Sequence, residues 1–565
     1  MVVTACQNTS FSPPPPASQR VSEPANQQAS ESASQRVSEL ANQRVSESTP
    51  FTMATPTLEP TPTPTVGPTP TASFTPSPSP TATPTATEKA ASGPTPTPNL
   101  ARAEAVAVPP LGTFQYETTI TLATYPFRDY LNEQIDPVYN IPVLYFDRAA
   151  FEAAAPTPIP VDYTGVVLEN PYLRLTFLPE LGGRLYSAII KTTGQEIFYH
   201  NKVIKPSRYG ILQPLEANWW LAAGGLEWAY PTQEHGYRWG VPWTYRAAQF
   251  ADRVSITLTD LASDPLPPSG TFPPARTSQR GRSSRVGVSV EVTLPADSAF
   301  FTVTPRLVNA SSMTVPVQFW TDAVLSLAPE TMSPQTQFII PVDQMTIHSR
   351  GDEGWDMPEA QAQAPWPVIG AANLQVYDQW ANYLGFFIPY MATPFMGAYN
   401  PTADLGVVRL IEPGTVPGNK LFAFGASFPD RSYTDDGSQY FEIWGGANAG
   451  FWPEDDILVP PGGELGWQER WWPLAGLGGL TWANDNAAIH LTQAGDTYTL
   501  SALVSQPTQG RLIILSGGTT VLSEPFSAEP AEVVRWQFSA PAGGVHVRLV
   551  DGRGRILLEY QDREY

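Results

Sequence analysis

From about residue 106 onward the chain is written in short runs that alternate apolar and polar positions, separated by Pro, Gly, Asn and Asp. That two-residue period predicts strands, and no stretch sustains the 3.6-residue period of a long helix. Strands are expected at residues 118–122, 142–146, 166–170, 173–177, 185–190, 301–309, 315–323, 440–446 and 467–472. Turns are expected at Asn170-Pro171 and Thr193-Gly194, and one short helix at residues 148–155. After residue 483 the runs shorten and space themselves evenly (490–492, 497–504, 511–515, 533–538, 544–549), which predicts a compact sandwich of about eighty residues. It is expected to pack on the main domain or to bind a neighbour. The fold class is therefore all-β, divided as a small β-rich module at 106–160, a main domain at 161–483 and a C-terminal β-sandwich at 484–565.

Residues 1–105 lack this pattern. Residues 18–48 repeat an eight-residue polar unit (SQRVSEPA, NQQASESA, SQRVSELA), and residues 49–98 are rich in Thr and Pro. Neither part can bury an apolar face, so a disordered tether with polyproline II character is expected. Just ahead of it, Val3-Thr4-Ala5-Cys6 resembles a bacterial lipobox, the motif at which a signal peptide is cut and the new N-terminal Cys is lipidated. Only five residues precede Cys6, where a signal needs an apolar region of about 7–15 residues. Either the start lies upstream of Met1 or the match is chance, and the tether that follows favours the former. The expectation is a chain anchored by lipid at Cys6 to the outer face of a bacterial envelope. No run approaches the length of a membrane helix, so any attachment would be through that lipid.

Composition narrows the partners. A net charge of −21 over 565 residues disfavours nucleic acid and anionic membrane surfaces. Sixteen tryptophans favour a ligand with flat apolar faces, of which sugars are the commonest, although core packing accounts for many indoles equally well. Cys6 is the single cysteine, the five histidines lack zinc spacing, and the acidic clusters at 435–437 and 454–456 lack the spacing of a calcium loop. No metal and no cofactor is expected, and the sequence does not indicate an oligomeric state.

Candidate chemistry gathers in residues 224–240, which hold Glu227, Glu234, His235 and Arg238 among four large aromatics and several glycines. A second signal is Glu442, a carboxylate flanked by Phe441, Ile443 and Trp444. An acid in an apolar wall needs a partner or a function. Convergence of Glu442 with Glu227 or Asp322 would make a carboxylate pair of the kind glycosidases use.

The opening of the main domain, Asn170-x-x-Leu173-x-Leu175 followed by Leu178-Pro179-Glu180-Leu181-Gly182-Gly183-Arg184-Leu185, resembles the start of the galactose mutarotase-like fold, a large β-supersandwich shared by aldose 1-epimerases. With Lys205-Pro206, Gly224-Gly225-Leu226-Glu227 and Trp366-Pro367, residues 161–483 look like the DUF5107 family of that superfamily. His235-Gly236-Tyr237-Arg238 is similar to the epimerases' His-Gly-aromatic-x-Arg element, one residue shorter, which implies that His235 and Arg238 hold a sugar ring. The strand holding Glu442, followed by Pro461-Gly462-Gly463-Glu464, resembles the epimerases' catalytic Glu strand, which implies that Glu442 is the general base. Asp322 stands where those enzymes carry an acid His, and a carboxyl donates a proton near neutral pH only if its pKa is raised. The resemblance thus implies a carbohydrate-binding domain acting as hydrolase or epimerase, with Glu442 as base and Asp322 or Glu227 as acid. Trp228, Trp239, Trp243 and Trp444 would supply stacking faces. The alternative is a glycan-binding or structural envelope lipoprotein that keeps the cleft without turnover.

Overall fold

Alternating side chains sort most of the strands onto two large sheets whose apolar faces meet. The computed structural model describes residues 112–135, 142–208, 219–231, 234–237, 240–260, 286–310, 312–425, 433–541 and 544–562. The expected tether and Cys6 lie outside these residues. The larger sheet has thirteen strands, and its middle runs Gln344–Arg350, Leu384–Phe387, Gly418–Ala423, Phe441–Gly446, Trp320–Leu325, Trp219–Ala229, His200–Arg208. The smaller sheet has nine strands, among them Phe301–Asn309, Glu469–Ala475, Leu405–Leu410 and Phe395–Asn400. Leu168, Leu175, Ala323, Leu421 and Ile443 of the first sheet pack with Ile256, Val290, Val303, Val407 and Trp471 of the second in one core. The all-β expectation holds.

Two expectations change. The stretch at 106–160, expected as a small β-rich module leaning on the main domain, contributes a strand to the larger sheet itself, because Phe114–Thr124 pairs along its whole length with Ile159–Glu169. The hairpin Leu131–Ile135 with Pro142–Phe146 and the helix Arg148–Ala154 stand off the sheet, the helix capped by Asp147 accepting from the Ala150 N–H at 2.9 Å. The single strand expected at 315–323 is two strands, Val315–Val317 and Trp320–Leu325, which belong to different sheets.

Beyond Trp482 two four-stranded sheets enclose a core of their own, with Ile489, Leu500, Leu512, Val547 and Leu558 at its centre. This sandwich packs on the main domain. Ala488 and Leu503 join Phe395, Val408, Leu410, Trp472 and Leu474 of the nine-stranded sheet in a shared cluster. No described helix is long and apolar enough to cross a membrane.

Candidate active site

Strand register builds the site. Asp322 on Trp320–Leu325 pairs with Glu227 on one side and Trp444 on the other, and Val324 pairs with Glu442. Lys420 on Gly418–Ala423 pairs in turn with Trp444. Antiparallel partners project from the same face, so Glu227, Asp322, Glu442, Trp444 and Lys420 share the face turned away from the nine-stranded sheet. Their neighbours Leu226, Ala323, Leu421 and Ile443 fill the core on the other side.

His235 reaches this face from a loop. The loop folds back on itself, with the Tyr237 N–H donating to the Tyr230 carbonyl at 3.0 Å. Gly236 permits this: its φ is +66°, and a Cβ there would stand 2.3 Å from the Tyr230 oxygen. Gly225 has a related task in the strand itself, where a Cβ would meet the Leu185 oxygen at 2.5 Å.

Glu227 is fully engaged. Trp220 Nε1 donates to its two oxygens at 3.0 and 3.1 Å, Arg184 Nη2 donates to Oε2 at 3.1 Å, and His235 Nδ1 lies 2.6 Å from Oε1. Burial opposes ionisation, but His235, Arg184 and Trp220 outweigh it and hold the Glu227 pKa below the ordinary glutamate value. An ionised Glu227 can only accept, so Nδ1 of His235 is the donor in this contact. The Trp220 indole stacks on the imidazole at 4.2 Å and fixes its plane.

Asp322 is the opposite case. It is wholly buried, neither carboxyl oxygen has a hydrogen-bond partner among the described residues, and His235 Nδ1 lies 3.7 Å from Oδ2. Burial, then Glu442 and Glu227, push its pKa well above the usual carboxylate range. Glu442 also titrates high, from burial, although Lys420, His235 and the Trp444 indole N–H pull it back. That N–H donates to Glu442 Oε2 at 2.8 Å. Three crowded carboxyls thus divide into one held ionised and two held toward the neutral form.

Donor atoms of Glu227, His235 and Asp322 lie within 4.8 Å of one another, close enough to suggest a cation. The fit is poor. Glu227 already accepts from Arg184 and Trp220 and is bonded to Nδ1 of His235, and metal ligands must surrender such bonds. The arrangement suits proton handling better than ion binding.

The structure therefore brings together Glu227, Asp322, Glu442, His235 and Trp444. It does not bring Trp228 or Trp243 there. Trp228 is buried in the core with its Nε1 donating to the Gly183 carbonyl at 3.0 Å, and Trp243 is buried against Gly183 and Tyr230. Neither offers a stacking face, which corrects the expectation for both. Trp444 keeps only part of its assigned role, since the Lys420 ammonium lies over its ring at 4.2 Å. Arg238 and Trp239 lie outside the described residues. The acidic turns are tied up locally: Asp435 accepts from Lys205 at 2.8 Å, and Asp436 pairs with Lys202 at 2.8 Å.

Sequence reasoning missed Lys420, Arg184, Trp220 and His348. His348 sits where the register shifts between Ile347 and Ser349, packed on Phe387 and Phe451, with Nε2 3.9 Å from Glu234. Its available signal was weak. Lys420 had a better one, an ammonium inside the otherwise apolar run Leu421-Phe422-Ala423.

Among solved structures, the chain is similar to a TPR-domain containing protein from Parabacteroides distasonis ATCC 8503, with 22% identity over 64% of this chain and a TM-score of 0.49. The match takes in 55% of that protein's chain, about half its length. A galactose mutarotase-like protein from Clostridium acetobutylicum is 12% identical, with 56% of this chain and 96% of that chain covered and a TM-score of 0.37. A galactose 1-epimerase from Lactobacillus acidophilus NCFM gives 12%, 56% and 96%, with a TM-score of 0.34. The family model described as "Domain of unknown function (DUF5107)" matches residues 139–266 and 275–459, segments that contain Glu227 and His235 in the first and Asp322, Lys420 and Glu442 in the second. More than half of the chain lies within that match, and the chain belongs to the DUF5107 family.

Proposed function

We propose that this sheet face binds a carbohydrate and acts at its anomeric centre, as an epimerase-like enzyme or a glycoside hydrolase. The observation that carries the reading is Asp322 beside Glu442: a neutral-leaning buried carboxyl without a hydrogen bond to any described residue, next to a second carboxyl that accepts from an indole N–H. Glu442 is the general base that takes a proton from the anomeric hydroxyl or from water, and Asp322 is the acid. Glu227 is not the acid. Its lowered pKa and four N–H contacts assign it to orienting His235, which holds the ligand through its other ring nitrogen. The same reading places the protein on the outer face of a bacterial envelope, anchored by lipid at Cys6 and spaced by the Thr/Pro-rich tether.

A second reading, a glycan binder without turnover, is favoured by one observation. Asp322 is 0% exposed, so a ligand reaches it only if the walls above it move. A glycan array combined with NMR detection of anomer exchange and a reducing-sugar assay tests both readings. Wild type should bind and convert a sugar, and Glu442→Gln and Asp322→Asn should bind it but turn over roughly 10²–10⁴ times more slowly. Binding by all three proteins with no product from any selects the second reading. No binding by any of them defeats both.

A further inference from the structure

Lys420 has no counterpart in the residues assigned so far, and its surroundings are unusual. Its side chain is 5% exposed, and Nζ lies 3.9 Å from Glu442 Oε2, beyond hydrogen-bond length. The rings of Trp444, Phe451 and Phe422 stand 4.2, 5.1 and 5.6 Å from Nζ. These contacts suit an ammonium but accept no hydrogen bond of ordinary strength. An ammonium on so enclosed a side chain, with no acceptor at hydrogen-bond length among the described residues, is left to water or a ligand for one.

We propose that Lys420 seats the ligand by donating a hydrogen bond to the ring oxygen of a pyranose whose anomeric hydroxyl faces Glu442. The inference rests on the carbohydrate reading above and adds to it a feature the ligand must have. The argument is one of matching. Glu442 and Glu234 supply acceptors beside Lys420, and hydroxyl groups can donate to them. The ring oxygen is the one pyranose oxygen outside the hydroxyls, and it only accepts, so it needs a donor. Lysine only donates. Tyr440 also has an unpartnered hydroxyl, but that oxygen is sealed from solvent. The ring oxygen and the anomeric hydroxyl share one carbon, so the groups serving them must stand side by side, as Lys420 and Glu442 do. Burial lowers the Lys420 pKa while Glu442, Asp322 and Glu234 raise it again, and in either protonation state an N–H remains to be donated.

The test compares D-galactose, D-glucose and D-mannose with their carba analogues, in which a methylene replaces the ring oxygen. Binding is measured by titration calorimetry on the full chain, as wild type, Lys420→Met and Lys420→Arg. Wild type should prefer the oxygen-bearing form of whichever sugar binds by roughly 10- to 100-fold, the range of a hydrogen bond to a charged group. Lys420→Met should bind both forms alike, and Lys420→Arg should keep part of the preference. Equal binding of both forms by wild type overturns the assignment while leaving the carbohydrate reading intact, and this outcome needs no variant to fold. A preference that survives in Lys420→Met likewise overturns it. If none of the three sugars binds wild type, the carbohydrate reading fails and the assignment falls with it.

Discussion

The fold controls the protonation of Asp322. Burial first, then Glu442 and Glu227, raise its pKa, and no donor among the described residues contacts either oxygen. In the unfolded chain an aspartate loses its proton near pH 3.9. The folded chain keeps this proton to higher pH. Between those two values the native state binds more protons than the unfolded one, so stability falls as pH rises through the window and levels off above the folded pKa. Asp322→Asn removes that dependence. Relative to wild type, the variant should gain stability from pH 4 toward pH 8, by about 1.4 kcal/mol for each unit of upward shift. Thermal melts of both proteins at matched pH values check this, and a difference that does not change with pH contradicts it. The same substitution should slow turnover, which makes Asp322 a case where the site costs stability. On the alkaline side, the wild-type rate should decline as Asp322 ionises, and that limb should be missing from whatever activity Asp322→Asn retains. A pH–rate profile reads both.

The strand Trp320–Leu325 works in two directions. Asp322 points to the site, while Thr321 points into the core and donates to Glu469 Oε1 at 2.8 Å. Glu469 also accepts from Trp471 Nε1 at 3.0 Å and from Arg409 Nε at 2.7 Å, and Arg409 Nη1 donates to Asn419 Oδ1 at 2.7 Å. The guanidinium passes where Gly445 has no side chain, since a Cβ there would lie 2.1 Å from Nη2. One buried ion pair thus fixes the neighbours of both Asp322 and Lys420 to the nine-stranded sheet. Glu469→Gln leaves the buried guanidinium without its counter-charge and should cost about 3–5 kcal/mol, whereas Thr321→Val should cost about 1 kcal/mol. Denaturant titrations would separate the two, and equal losses would refute this account of the pair. The sequence reveals these strands through alternation, and it marks Glu442 because an acid stands among Phe441, Ile443 and Trp444. Glu227 and His235 are legible because glycines bracket them within a few residues of each other. Lys420, Arg184 and Trp220 acquire their roles only when register sets Lys420 beside Trp444 and folds Trp219–Ala229 against Arg184. Trp228 was a recoverable error: it adjoins Glu227, and consecutive strand residues face opposite ways, so it could not share that face.

Across the whole molecule, the nine-stranded sheet is buried on both faces at its strands Phe395–Asn400 and Leu405–Leu410, which is why Leu405–Leu410 is apolar almost throughout instead of alternating. Val407 and Arg409 face the larger sheet, and Val408 and Leu410 face the C-terminal sandwich. Polar contacts reinforce the second junction: the Ala299 N–H donates to the Ser505 carbonyl at 3.1 Å, and Gln506 Nε2 donates to Ser298 Oγ at 3.1 Å. The sandwich therefore covers the side of the protein opposite the candidate site. Its removal should expose Phe395, Val408, Leu410, Trp472 and Leu474 together, a contiguous apolar patch of the kind that drives association. A chain ending at residue 483 should melt lower than the full chain, bind a hydrophobic dye and scatter light. Leu503→Asp tests the junction without deletion. A carboxylate placed at this buried position should cost at least about 2 kcal/mol of stability. Because the charge lies across two sheets from Glu442, sugar affinity of the folded fraction should match wild type. A substitution at this junction that lowered affinity while leaving the melt unchanged would mean that the sandwich acts on the site, and that the two faces are not independent.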